Sequence, residues 1–264
     1  MHTAYIILLT IHISIGFVSL LLFWVPVLSR KGGRLHLLYG RWYSNAMYVV
    51  AGSAISLSIL LLVDPIAAKF PLANFDAEKI SQIQVDQKYT GLFLLAISVL
   101  VLSSIRHGLL TIASKKDHSL MRAPSHLALN GLLVGMGVFL FYTAMEIGHT
   151  LFFIFGTLCF VLGLQNLRYS LKKEVLPMEW LIAHLGAMIG AGIGSYTAFF
   201  VFGASRLFAE LLSGYWSLVP WVLPGVIGGI ATGILSRKYQ LKYRKIRDKF
   251  KHKPQIKRTI EATG

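Results

Sequence analysis

The chain has 264 residues, of which 55% are hydrophobic and only 14% charged. Soluble domains run nearer a quarter charged, so this is a membrane composition, with room for one helical bundle and no sizeable soluble domain. A formal charge of +15 does not point to nucleic acid, because no soluble basic domain exists to carry that role, and a single cysteine, Cys159, excludes an internal disulfide and any cysteine-based zinc site.

A span needs about 20 mainly apolar residues to cross roughly 30 Å of hydrocarbon. Helix is forced there, because lipid offers no partner to backbone N–H and C=O groups. The apolar runs predict seven spans, near 4–28, 42–63, 89–113, 126–145, 149–169, 180–202 and 218–236. The expected fold class is therefore all-α, a polytopic membrane helix bundle with seven transmembrane helices. The first run has no basic stretch before it and no small-residue cleavage site after it, so it reads as an uncleaved span. In the 64–88 connection Pro65 and Pro71 break the helix early, and Ala77–Val85 is expected as a short surface helix. Spans four and five, separated by a few residues around Gly148, must form a tight antiparallel hairpin.

Loop charge chooses the direction. Arg30, Lys31, Arg34 and Arg41 follow span one; Lys115, Lys116 and Arg122 follow span three; Arg168, Lys172 and Lys173 follow span five. Beyond span seven come eleven Lys and Arg against two acids, Asp248 and Glu261. Positive loops stay in the cytoplasm, so the N-terminus is expected outside and the C-terminus inside. The chain then divides into a seven-helix domain, 1–236, and a basic cytoplasmic tail, 237–264. That tail is expected against anionic inner-leaflet lipids, at about 1 kcal/mol per basic residue.

Gly186, Gly190 and Gly194 in span six, Gly225, Gly229 and Gly233 in span seven, and Gly131 and Gly135 in span four share a four-residue spacing. Such faces let helix backbones approach closely. His184, Met188 and Gly192 occupy a neighbouring stripe on span six. Trp42, Tyr43 and Tyr48, and Tyr215, Trp216 and Trp221, read as interfacial anchors.

Six histidines sit within the helices or at their ends. Ionisable groups in lipid are costly and by default hint at function. His107, His126 and His184 collect near the cytoplasmic face, His12 and His149 lie toward the outer half, and His36 opens the second helix from the inside. Similar depth on different helices is what a shared ligand requires, and a haem iron takes one or two imidazoles. A lone histidine in a span is equally a hydrogen-bonding partner for a neighbouring helix. Arg106 and Arg168 are close enough to the inner face to snorkel. No Asp or Glu sits at mid-membrane, which counts against a carrier with a buried carboxylate relay.

The run His12-x-x-x-Gly16, then Arg30 to His36, then Gly40-Arg41-Trp42-Tyr43, resembles a family of bacterial multi-pass membrane proteins of unknown function. That family carries a histidine in its first helix and an H-x-x-x-G-R-x-Y opening to its second, here His36 to Tyr43. His118-Ser119-Leu120-Met121-Arg122 is similar to its H-x-x-M-R connection, and His184-x-x-x-Met188 to a late-helix pattern among its relatives. The resemblance implies a multi-pass protein of the bacterial inner membrane and no particular activity. More loosely, one histidine per helix is similar to two-haem transmembrane b-type cytochromes.

The expectation is a membrane protein binding haem b between helices and serving electron transfer. An inner site would use His107 and His184, with His126 as alternative partner, and an outer site His12 and His149. Arg34, Arg41 and Arg106 would balance propionates or meet a quinone head, the quinone or another redox carrier being the partner. The alternatives are an intramembrane hydrolase with zinc held by three histidines, and a non-enzymatic membrane or assembly protein with structural histidines.

Overall fold

The computed structural model describes residues 1–71, 75–175, 178–203, 216 and 219–262, with side chains through Leu241. Tyr215 and the side chains of the tail beyond Leu241 lie outside the described residues. The order is α1 (His2–Leu28), α2 (Arg34–Val63), α3 (Pro65–Lys69), α4 (Ala77–Ala113), a 3-10 turn (His118–Arg122), α5 (Pro124–Ile147), α6 (Thr150–Ser170), α7 (Glu179–Ala198, continued as a π turn to Gly203) and α8 (Val219–Ala262). Seven of these helices are long and apolar enough to cross a membrane. The protein is a multi-pass integral membrane protein, and no strand occurs among the described residues.

Three helices run further than hydropathy alone suggests. α2 begins at Arg34 rather than 42, straight after a turn in which Gly32 takes φ +77 and Gly33 donates to the Arg30 carbonyl at 2.9 Å. α4 begins at Ala77, so the expected surface helix and span three are one continuous element. Asp76 starts it, its carboxylate accepting the Lys79 N–H at 2.7 Å, and no glycine or proline interrupts 77–90. At 37 residues and 1.5 Å per residue it is about 55 Å long, well beyond the hydrocarbon. Likewise α8 passes residue 236 without a break and reaches Ala262. Asp64 caps α3 by accepting the Ala67 N–H at 3.0 Å.

α4 is the hub. It touches α2, α5, α6 and α7. α1, α2, α4 and α7 close into a ring whose neighbours touch while its diagonals, α1 with α4 and α2 with α7, make no close approach. Phe23, Tyr43, Met47, Val101, Ile105 and Ala191 fill the ring's middle. α1 and α7 are pinned where the Trp24 indole N–H donates to the Tyr196 hydroxyl at 2.6 Å and that hydroxyl donates to the Leu20 carbonyl at 2.8 Å. The α5–α6 hairpin turns at Gly148, which takes the left-handed φ +66, and joins α4 through Phe93, Leu133, Phe152 and the buried Cys159. α8 lies against α7. Large apolar side chains such as Ile13, Leu21 and Tyr142 face outward. That is unremarkable when the surroundings are lipid.

The glycine pattern predicts the α7–α8 pairing through the wrong residues. A Cβ added at Gly131, Gly135, Gly186, Gly190, Gly225, Gly229 or Gly233 would meet nothing within 4 Å, and at Gly194 only an ordinary contact. The close approaches lie elsewhere. At Gly137 a Cβ would fall 2.5 Å from the Phe160 amide nitrogen and 2.8 Å from the Gly156 carbonyl, so α5 and α6 touch backbone to backbone there. α8 meets α7 at Gly228, against Ile193 and Ile189, and α1 meets α7 where Phe23 covers Gly192.

Candidate functional site

Polar side chains gather on both flanks of α4, at the end of the bundle that holds the Lys- and Arg-rich connections. On the α5–α6 flank, Nδ1 of His107 lies 3.3 Å from Nε2 of His126, so the two imidazoles share one proton between them. Both are buried, and His126 is fully so. One helical turn on, the Asn130 amide donates to the His126 carbonyl at 2.8 Å, while its oxygen accepts from the Ser103 hydroxyl at 2.7 Å and the Asn166 amide at 2.9 Å. Asn130 Nδ2 is nearly equidistant from both His126 ring nitrogens, at 3.4 and 3.3 Å, so it engages neither squarely. The cluster joins three helices without a formal charge, the affordable way to bury polar groups.

Tyr169 closes this flank. Its ring stands edge-on to His107 and to His118, each 5.3 Å away between centroids. The His118 Nε2–H donates to the Tyr169 carbonyl at 3.0 Å, and Arg122 donates to the Lys172 carbonyl at 2.9 Å. The 118–122 connection is thereby tied to the end of α6. Sequence reasoning gave His118 no role beyond a motif resemblance, because a carbonyl partner leaves no trace in residue type.

The other flank opens into the mouth of the four-helix ring. From α7, His184 donates Nδ1–H to the Gly108 carbonyl of α4 at 2.8 Å. From α2, His36 donates Nδ1–H to the Pro26 carbonyl of α1 at 3.0 Å. A carbonyl can only accept, so each bond fixes the tautomer and leaves Nε2 a lone pair. No hydrogen bond to either Nε2 occurs among the described residues. His36, Lys115 and Lys31 all lie within electrostatic reach of the His184 ring. Lys31 donates to the Pro26 and Val27 carbonyls at 2.8 and 2.6 Å, and partial burial holds its ammonium below the usual lysine range. Lys115 sits over the Trp180 ring at 3.6 Å, one turn of α7 before His184.

The His184–Met188–Gly192 stripe explains how α7 comes so close. Its members meet Gly108, Gly108 again and Phe23 in turn, and a Cβ at Gly108 would stand 3.1 Å from Met188 Cε and 3.2 Å from Ala187 Cβ.

The expected partners distribute themselves differently. His107 faces His126 and Tyr169, whereas His184 approaches α4 one residue further on from the α7 side. His12 donates Nδ1–H to the Val50 carbonyl at 3.1 Å, with the Ser53 hydroxyl at 3.2 Å. His149 is exposed at the start of α6, its ring 5.2 Å from that of Phe152, beside a shallow cavity of about 310 Å³ lined by Ala144, Gly148, Thr150 and Phe153. α1 and α6 do not touch, so nothing brings His12 and His149 together. Arg34 and Arg41 are exposed. Arg106 donates to the Ser125 hydroxyl at 2.7 Å. His36, which the sequence places at a helix start without assigning it as a ligand, shows the same bonding pattern as His184, with Nδ1 on a backbone carbonyl.

Among the described residues no three of His, Cys, Asp and Glu gather as a metal-holding group, so the zinc alternative gains nothing from the geometry. Compared with known proteins, the chain matches no family model, no curated protein and no solved structure. Its class is set by its own architecture: a seven-span membrane protein with a buried His107–His126 pair on one flank of α4 and His184, bonded to the Gly108 carbonyl, on the other.

Proposed function

We propose that the protein binds haem b at the cytoplasmic end of the α1–α2–α4–α7 ring, where His36 and His184 would hold it, and takes part in transmembrane electron transfer. One observation carries this reading. The two histidines stand on the diagonal helices α2 and α7 of one four-helix ring, each with Nδ1 tied to a backbone carbonyl and no hydrogen bond to Nε2 among the described residues. A second hydrogen bond of that kind orients a metal-ligating imidazole and raises its basicity. Lys31 and Lys115 supply positive charge for the propionates. Haem when bound supplies a one-electron carrier, and the chain supplies its ligands, its apolar surroundings and its charge balance.

The His107–His126 pair does not fit that role, because its rings hydrogen-bond directly to each other at 3.3 Å and each has a ring nitrogen committed to that contact. We read that pair as the structural lock between α4 and α5. The loop charges make the ring's mouth the cytoplasmic end, and the resemblance to bacterial multi-pass proteins makes the membrane a bacterial inner membrane. A quinone head or another redox carrier is then the partner expected there, and the basic tail meets anionic lipid.

The test is a reduced-minus-oxidised absorbance spectrum of the full chain purified from cells supplied with haem. The expected result is a b-type spectrum that His36→Ala and His184→Ala each abolish and His107→Ala retains. A colourless wild-type protein, or a spectrum unchanged in both the His36 and His184 variants, overturns the reading.

A further inference from the structure

A second polar feature lies outside both histidine groups, in the cleft between α2 and α5. These helices both pack on α4 and make no close backbone approach to each other, so the α4 face between them is the floor of the cleft. Arg106 rises from that floor. Its guanidinium has five N–H donors but makes one hydrogen bond, to the Ser125 hydroxyl of α5, and its Nε is buried without a partner. No carboxylate pairs with it among the described residues. Its charge reaches Tyr48 on α2, whose hydroxyl carries no hydrogen bond among the described residues, and His126 on α5.

The groove also receives the start of α5. Its N-cap, Ala123, provides no side-chain hydrogen bond, and Pro124 occupies the first turn, so the positive end of that helix is uncompensated. Ser125, its second residue, is exposed. Arg106 stands seven residues before the end of α4, about 10 Å along the axis. It is therefore level with the first turn of α5, where hydrocarbon gives way to headgroups.

The geometry points to a binding site for the phosphate of an anionic membrane phospholipid, held by Arg106 with the Ser125 and Tyr48 hydroxyls, its acyl chains lying along the groove between α2 and α5. An unpaired guanidinium at a lipid-facing boundary needs an anion. A phosphodiester supplies one, with oxygens that match the planar donor fork. Lysine cannot replace that fork, because it presents a point charge rather than two parallel donors.

The test is native mass spectrometry of the full chain released from detergent containing phosphatidylglycerol, phosphatidylcholine or inorganic phosphate. Phosphatidylglycerol is expected to be retained in preference to phosphatidylcholine, whose choline cancels the phosphate charge, and inorganic phosphate not to be retained. Arg106→Lys should weaken retention about tenfold, the worth of one charge-assisted hydrogen bond. Tyr48→Phe and Ser125→Ala, which leave the fold's buried contacts intact, should each weaken it severalfold, and Lys173→Gln on an exposed connection should not. Equal retention by wild type and Arg106→Lys, or by wild type and both hydroxyl variants, overturns the site. Retention of inorganic phosphate, or of phosphatidylcholine as strongly as phosphatidylglycerol, overturns the anionic lipid as its occupant.

Discussion

His36 and Lys31 share one acceptor, the carbonyl oxygen of Pro26, at 3.0 and 2.8 Å. That carbonyl belongs to the last turn of α1, where intrahelical donors run out. The basic turn after the first span thus caps one helix and orients a histidine on the next. Charge, cap and ring orientation come from the seven positions Arg30 to His36, which is why that run is informative in sequence.

Lys31→Met should destabilise the protein by about 0.5–1 kcal/mol, the usual worth of a cation at a helix C-terminus. Lys31→Arg should recover most of it. The midpoint of thermal unfolding in detergent is the measurement, and a Lys31→Met variant as stable as wild type would contradict the capping role.

Gly137→Ala should cost about 1–3 kcal/mol or prevent the α5–α6 hairpin from closing, because its new methyl meets backbone that cannot swing aside. Gly131→Ala, on the same helix with nothing within 4 Å, should be neutral or gain up to about 1 kcal/mol from helix propensity. Yield of folded, monodisperse protein and its thermal midpoint distinguish the two.

Asn130→Leu should be among the most damaging single changes, by about 2–3 kcal/mol, since it removes the buried oxygen that accepts from both the Ser103 hydroxyl and the Asn166 amide and leaves those two only each other at 3.2 Å. Losses from His107→Ala and His126→Ala should not add. A double-mutant cycle should give a coupling of about 0.5–3 kcal/mol for two groups in direct contact. A coupling near zero would remove the shared hydrogen bond.

Gly108→Val should separate α7 from α4 and break the His184 bond, because its side chain would enter the space of Met188 and Ala187. Haem retention should fall with it, although residue 108 offers no ligand. A Gly108→Val protein with an unaltered b-type spectrum would show that the His184–carbonyl bond does not orient the ligand.

The seven spans were legible because lipid imposes length and apolarity on any helix that crosses it. The extensions of α2 to Arg34 and α4 to Ala77 were not, because helix continues into the headgroups where hydropathy no longer registers it. Glycine spacing marks a face without saying what it faces. Gly131 and Gly135 look outward while Gly137, two positions away, meets α6. Depth placed His107, His126 and His184 toward one end, but what turns His107 toward α5 and His184 onto the Gly108 carbonyl depends on how the helices circle. A one-dimensional pattern does not contain that.

Electron paramagnetic resonance of the oxidised, haem-supplied protein addresses the central claim most directly, since two imidazoles on one iron give a low-spin signal. That signal is expected in wild type and in His107→Ala, with conversion to high spin or loss in His36→Ala and in His184→Ala. A low-spin signal that survives both of those substitutions, or that disappears in His107→Ala alone, would contradict it.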